Sequence, residues 1–109
     1  MTNQKKNSRT ENVGEQVQVQ SDGHFLITGD LDFYSVPKIL SASQSLFEAS
    51  QSLTIDLSGV ESSNSAGLAL LIEWMRIADS KSCPIKFLNV PDQLRQVAQL
   101  CGVEEKLPV

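Results

Sequence analysis

Residues 55–75 read IDLSGVESSNSAGLALLIEWM, and this stretch decides the fold. Upstream, LTIDL places Leu53, Ile55 and Leu57 on one side of a strand, with Thr54 and Asp56 on the other. Residues 58–65 read as a polar loop, and a helix is expected from about Ala66 to Asp79. A buried strand followed by a short polar loop and a helix is the repeating unit of an α/β sheet. Partners and ligands of such sheets gather at the loops beyond the strand carboxyl ends. Here that loop presents Ser62, Ser63, Asn64 and Ser65 directly before the helix. A helix start carries unpaired N–H groups and a partial positive charge. Asn64 or Ser65 is the expected N-cap, a role worth about 1 kcal/mol.

The helix has more apolar residues than one stripe needs. At about 100° per residue, Leu68, Leu71, Ile72, Met75 and Ala78 form one coherent stripe. Leu70, Trp74 and Ile77 lie on another flank. A surface helix buries a single stripe. The second flank therefore means either a central helix packed on two sides, or an exposed patch for a partner. Tryptophan is a frequent interface anchor. The expected docking surface accordingly comprises Ser62, Ser63, Asn64, Ser65 and Ala66 with the Leu70, Trp74 and Ile77 flank.

Working outward, Val17 and Val19 alternate with Gln16, Gln18 and Gln20 as in a half-buried strand. Ser21-Asp22-Gly23 is a turn signal, and HFLIT at residues 24–28 reads as a second strand, so the pair forms a hairpin. Gly29-Asp30-Leu31-Asp32 is expected to break that strand. Asp32 or Ser35 then caps a helix beginning near Val36-Pro37, where proline fits the first turn. Its apolar face is Val36, Ile39, Leu40, Leu46 and Phe47, with Ser43 inside the stripe. Beyond the central helix, Ile85 to Leu88 is a short strand. Pro91-Asp92 opens a last helix with Leu94, Val97, Ala98 and Cys101 buried, and Gly102 terminates it. The order predicts an α/β fold: a mixed sheet of about four strands with helices packed on it, its first two strands an antiparallel hairpin.

Residues 1–12, MTNQKKNSRTEN, have the composition of a disordered tail, leaving one domain over residues 13–109. Lys5, Lys6 and Arg9 against Glu11 give the tail +2; with a net charge of −4, the body carries −6. An acidic body disfavours nucleic-acid backbones and anionic membranes. Four Phe, one Tyr and one Trp offer little for base stacking. The polar N-terminus lacks a secretory h-region. The apolar run at Leu68 to Ile72 is too short to span a bilayer, so no membrane insertion is expected. A cytoplasmic location with reduced Cys83 and Cys101 follows.

Catalytic chemistry is not expected either. The lone His24 lies in a hairpin strand, and Ser65 has no nearby histidine in the chain. Asp30, Asp32 and Asp56 at strand ends read as caps and turn formers rather than a metal cluster. Two cysteines and one histidine in no familiar spacing make no zinc site. Neither GxxxxGK[ST] nor GxGxxG occurs, so no cofactor is expected and any ATP belongs to a partner.

The pattern resembles the STAS family. The residues that carry the resemblance are Asp56-Leu57-Ser58, Val60, Ser65-Ala66-Gly67-Leu68, and Gly29-Asp30-Leu31-Asp32 after the second strand. It extends from about Val17 to Val103. The resemblance implies a non-catalytic interaction domain. In one branch, the small cytoplasmic subunit of Mla-type ABC transporters, the domain binds and supports the ATPase subunit that drives phospholipid transport between Gram-negative membranes. It would sit peripherally at the inner membrane through that complex. The run Ser65-Ala66-Gly67-Leu68-Ala69-Leu70-Leu71 looks more like this branch. In the other branch, anti-sigma factor antagonists, a partner kinase phosphorylates the serine matched here by Ser65. That branch typically has Asp-Ser-Ser-Gly where this chain has Asn64-Ser65-Ala66-Gly67. A phosphate at Ser65 would add a charge of about −1.5 to −2 at the interface.

Overall fold

The computed structural model describes residues 16–109. The expected tail, residues 1–12, and the start of the domain at residue 13 lie outside the described residues. The described elements are β1 (Val17–Ser21), β2 (His24–Leu31), α1 (Ser35–Glu48), β3 (Leu53–Ser63), α2 (Ser65–Ser80), β4 (Ile85–Leu88), α3 (Asp92–Leu100) and a 3₁₀ turn, Glu104–Lys106. The strands form one sheet in the order β1-β2-β3-β4. β1 pairs antiparallel with β2, whereas β2–β3 and β3–β4 are parallel. This is the expected mixed sheet with its leading hairpin.

Strand order follows chain order, so both crossovers step in the same direction. Right-handed connections then place α1 and α2 on the same face of the sheet. α3 packs beside α2 and against β3. The strand pattern agrees. Phe25, Ile27, Leu53, Ile55, Leu57 and Phe87 are buried beneath the helices. The row Gln18–Leu26–Asp56–Leu88 runs across all four strands on the opposite, half-buried face.

Two strands outrun their expected ends. β2 continues through Gly29-Asp30-Leu31, and β3 continues through residues 58–63 in place of the expected loop. The extensions hold each other: Thr28 pairs with Gly59, Gly29 with Val60, Asp30 with Ser62 and Leu31 with Ser63. Register shifts near Thr28 and Asp30 absorb the irregularity. Gly29, at φ 81°, bends the strand instead of ending it. Paired backbone thus prevails over a turn-like composition, and the connection from β3 to α2 shrinks to Asn64.

The second flank of α2 is core. Leu70 is 1% exposed and Trp74 0%. Ile77 is half-buried against the same cluster. The expected exposed patch is therefore corrected. The physical reason is that α2 lies between α1 and α3 with the sheet beneath it, so it buries two flanks. Its solvent face is rotated away, onto Ser65, Ala69, Ile72 and Arg76. Ile72, assigned to the core stripe by periodicity, is 44% exposed. Trp74 joins an aromatic run with Phe25, Phe47 and Phe87, at centroid spacings of 6.0 Å (Phe25–Phe47), 5.8 Å (Phe47–Trp74) and 6.4 Å (Trp74–Phe87). Its indole N–H donates to Ser43 Oγ at 2.9 Å, and that hydroxyl donates to Leu40 O at 2.8 Å. This explains a serine inside the apolar stripe of α1.

α3 buries Leu94 and Ala98 as expected. Cys101 is exposed rather than buried, because the helix closes at Leu100 and Cys101 is its cap. Leu107 folds back onto the core, and Phe87 N donates to Pro108 O at 2.8 Å.

Trp74→Ala is expected to destabilise the domain by about 3–5 kcal/mol. Ser43→Ala, which orphans a buried donor, is expected to cost about 1–3 kcal/mol. Denaturant unfolding of both variants checks this. A Trp74→Ala protein as stable as wild type would place the indole outside the core.

Candidate functional site

The parallel strands β2, β3 and β4 deliver three loops to one end of the domain. Asn64 N donates to Leu31 O at 3.2 Å, which ties the β3–α2 junction to the end of β2. Ser63 N donates to Gln93 Oε1 at 2.9 Å, which ties it to the first turn of α3. Ser62 Oγ donates to Asp30 Oδ1 at 2.8 Å.

Asn64, not Ser65, caps α2. It is extended (φ −110°, ψ −163°), and its Oδ1 accepts from Ala66 N at 2.8 Å. Ser65 is thereby free to point outward: it is exposed, and among the described residues its hydroxyl has no partner. Gly67 lets the first turn of α2 sit down on the sheet. A Cβ there would clash with Ser63 Oγ and stand 3.2 Å from Leu31 Cβ.

Of the expected contact residues, Ser62, Ser63, Asn64 and Ser65 do come together at this end. Ser62, Asn64 and Ser65 are exposed, and Ser63 is half-buried. Ala66 is only 4% exposed and faces inward. With Leu70 and Trp74 it is unavailable to a partner. What replaces them on the surface is the α2 face bearing Ala69 and Ile72.

The β2–α1 loop adds two residues not expected from the sequence. Phe33 is 71% and Tyr34 86% exposed. The loop is held by Asp32, whose Oδ1 accepts from Tyr34 N at 2.9 Å and Ser35 N at 2.8 Å. Ser35 Oγ accepts in return from Asp32 N at 2.9 Å. Asp32 and Ser35 thus lock the turn that leads into α1; the N-cap position itself is Tyr34, which makes no side-chain cap bond, so neither of the two expected residues occupies it. The signal for the aromatics was present: they lie between a strand end and a helix start, outside any apolar period.

The carboxylates act as structural acceptors. The N–H donors of Ser35 and Tyr34 hold the Asp32 carboxyl below its ordinary range. Partial burial pushes Asp56 up, but hydrogen bonds from Asn89 and Ser58 outweigh it and leave the group lowered. No cluster of three or more His, Cys, Asp or Glu with metal-binding geometry occurs among the described residues. Neither cysteine is in a disulfide. No described helix is long and apolar enough to cross a membrane. A groove of about 570 Å³ beside α1 is lined by Gln16, Asp30, Asp32, Tyr34, Ser35 and Lys38, among others.

A one-sided mixed sheet whose strand ends converge beside an outward-facing serine, at the start of a helix capped by Asn64, defines a small α/β domain. The family model described as "Mlab, STAS domain" matches residues 16–108, and the chain belongs to this STAS family. The fold is similar to that of the anti-sigma factor antagonist SpoIIAA in its unphosphorylated form: 20% identity, 84% of each chain covered, TM-score 0.67. It is also similar to the Bacillus cell fate determinant SpoIIAA in the phosphorylated form, at 20% identity over 84% of this chain and 86% of that one, TM-score 0.64. At this identity the likeness is one of fold. No curated protein sequence matches the chain significantly.

Asn64→Ala is expected to cost about 0.5–2 kcal/mol through loss of the cap, read from denaturant midpoints. Asp32 yields a pH signature. Its folded pKa lies below the ordinary 3.8, so its stabilisation is complete above that value and is lost as pH falls through the lowered pKa. The stability gap between wild type and Asp32→Ala should be full at neutral pH and narrow below pH 3.8. A gap independent of pH would mean the carboxylate charge plays no part.

Proposed function

We propose that this chain is a non-catalytic STAS subunit that binds and supports the ATPase of an Mla-type ABC transporter, and so serves phospholipid transport and outer-membrane lipid asymmetry. It acts in the cytoplasm, peripherally at the inner membrane through the complex. It inserts no segment into the bilayer and binds no nucleic acid. The observation that carries the reading is the outward face of α2. Ser65, Ala69 and Ile72 form a small, partly apolar stripe that no other described element covers, continuous with exposed Ser62 and Asn64. Helix faces of this kind seat against partners. The description of the matching family model and the run from Ser65 to Leu71 favour the transporter branch.

A second reading rests on Ser65 itself. Its exposed hydroxyl at a helix start suits a phosphoacceptor. The structures of similar fold include SpoIIAA in both phosphorylated and unphosphorylated forms. On this reading the chain is an anti-sigma factor antagonist, switched when a partner kinase phosphorylates Ser65.

Two variants test the surface. Ser65→Asp places a carboxylate at a helix N-terminus, which favours the helix, and Ile72→Asp changes an exposed position. Both should keep the wild-type melting curve. Each should weaken binding to the purified transporter ATPase at least about tenfold, which corresponds to about 1.4 kcal/mol. Unchanged affinity for both variants would refute this choice of surface. Phosphate on Ser65 in protein isolated from cells, with no ATPase affinity in the wild type, would select the antagonist reading.

A further inference from the structure

We infer that Phe33 and Tyr34 anchor this end of the domain in an apolar socket of a partner protein whose contact face is rimmed by lysine and arginine. The inference rests on the docking reading above, but not on which protein the partner is.

Three observations carry it. The first is exposure in a fixed loop. Both aromatic rings stand in solvent, yet the backbone beneath them is locked by the reciprocal Asp32–Ser35 bonds and by the adjoining start of α1. Aromatic side chains on a backbone fixed in advance have only their own rotamers left to lose on binding, and such residues dominate interface energetics. The second is position. Leu31 pairs with Ser63, and Asn64 N bonds Leu31 O. The aromatic loop and the Ser62–Ser65 segment therefore belong to one end of the sheet.

The third is charge, and it selects the occupant. The chain segments that meet at this end, residues 30–35, 60–65 and 89–93, hold Asp30, Asp32, Glu61 and Asp92 and no lysine, arginine or histidine, a formal charge of −4; Lys38 of α1 lies beside Asp32 and offsets part of it. Asp30, Glu61 and Asp92 are exposed. A second copy of the chain would bring one net negative end against another, and an anionic bilayer would be repelled in the same way. A protein with a cationic rim is drawn in, and steered during encounter. Phe33 and Tyr34 would then fill the apolar centre while Asp30 and Glu61 meet the rim.

The test places the photo-crosslinker p-benzoylphenylalanine at Phe33 of the full-length chain in its native cells, with the same probe at Thr54 on the opposite sheet face as control. The crosslinked peptide is sequenced. The expected adduct at Phe33 joins a partner peptide that contains or adjoins several Lys or Arg residues. Its yield falls at least about tenfold in a Tyr34→Ala, Asp30→Asn background and in high salt, where surface charge is screened. A peptide from the ABC ATPase supports both this inference and the proposed function. A lysine- and arginine-rimmed peptide from another protein, with the same losses, supports the anchor and overturns the transporter reading. The anchor is overturned by an adduct with this chain itself or with lipid, by yields indifferent to salt and to the background substitutions, or by no Phe33 adduct at all.

Discussion

The contact on which the arrangement depends is the seat of Trp74 between α1 and the sheet. An indole is large enough to bridge two layers, but its N–H demands an acceptor when buried. Ser43 supplies that acceptor from α1 and donates its own hydrogen bond to Leu40 O. One hydrogen bond therefore fixes the rotation of α2 relative to α1, while Phe47 and Phe87 fix the height of the ring. Once α2 cannot rotate, its outward line is set: Ser65, Ala69, Ile72 and Arg76. The surface offered to a partner is thus determined from inside the core.

The start of α2 is constrained as tightly as its middle. Gly67 admits Leu31 and Ser63 against the helix, and Asn64 closes the first turn. Because the asparagine takes the capping task, the neighbouring serine hydroxyl is not consumed by the fold. On the far side of the same end, Asp32 and Ser35 lock the turn before α1 and leave Phe33 and Tyr34 projecting. Each junction separates the residues that hold the backbone from those that face solvent.

Much of this was legible in the chain. The alternation of LTIDL, the hairpin signal at Ser21-Asp22-Gly23 and the helical spacing after Ser65 carry their structures locally. The order of elements then leaves few topologies. The rotation of α2 was not legible. Leu68–Leu71–Ile72–Met75 is a coherent stripe on a wheel, and only the presence of helices on both sides tells Trp74 from Ile72. The extension of β3 through residues 58–63 is hidden for a related reason: Ser, Gly and Asn suggest a turn, but pairing between β2 and β3 keeps Gly59 and Ser62 extended. Phe33 and Tyr34 escaped because they carry no period, and a wheel or an alternation can report only on residues that recur.

The strands lie in the sheet in the order in which the chain lists them, and each pairs with the one synthesised just before it. On a ribosome the growing edge is always the edge the next strand needs. The β1–β2 hairpin requires only residues already emerged, β3 adds to a finished β2 once α1 has cleared the tunnel, and β4 adds to β3 after α2. No central gap stays open for a late segment, so the margin that awaits a further strand is always the advancing one, opposite the outer edge of β1. One bond reaches that margin from downstream, where Pro108 O accepts from Phe87 N. A chain organised in this way can be assembled in the same sequence in which it is translated.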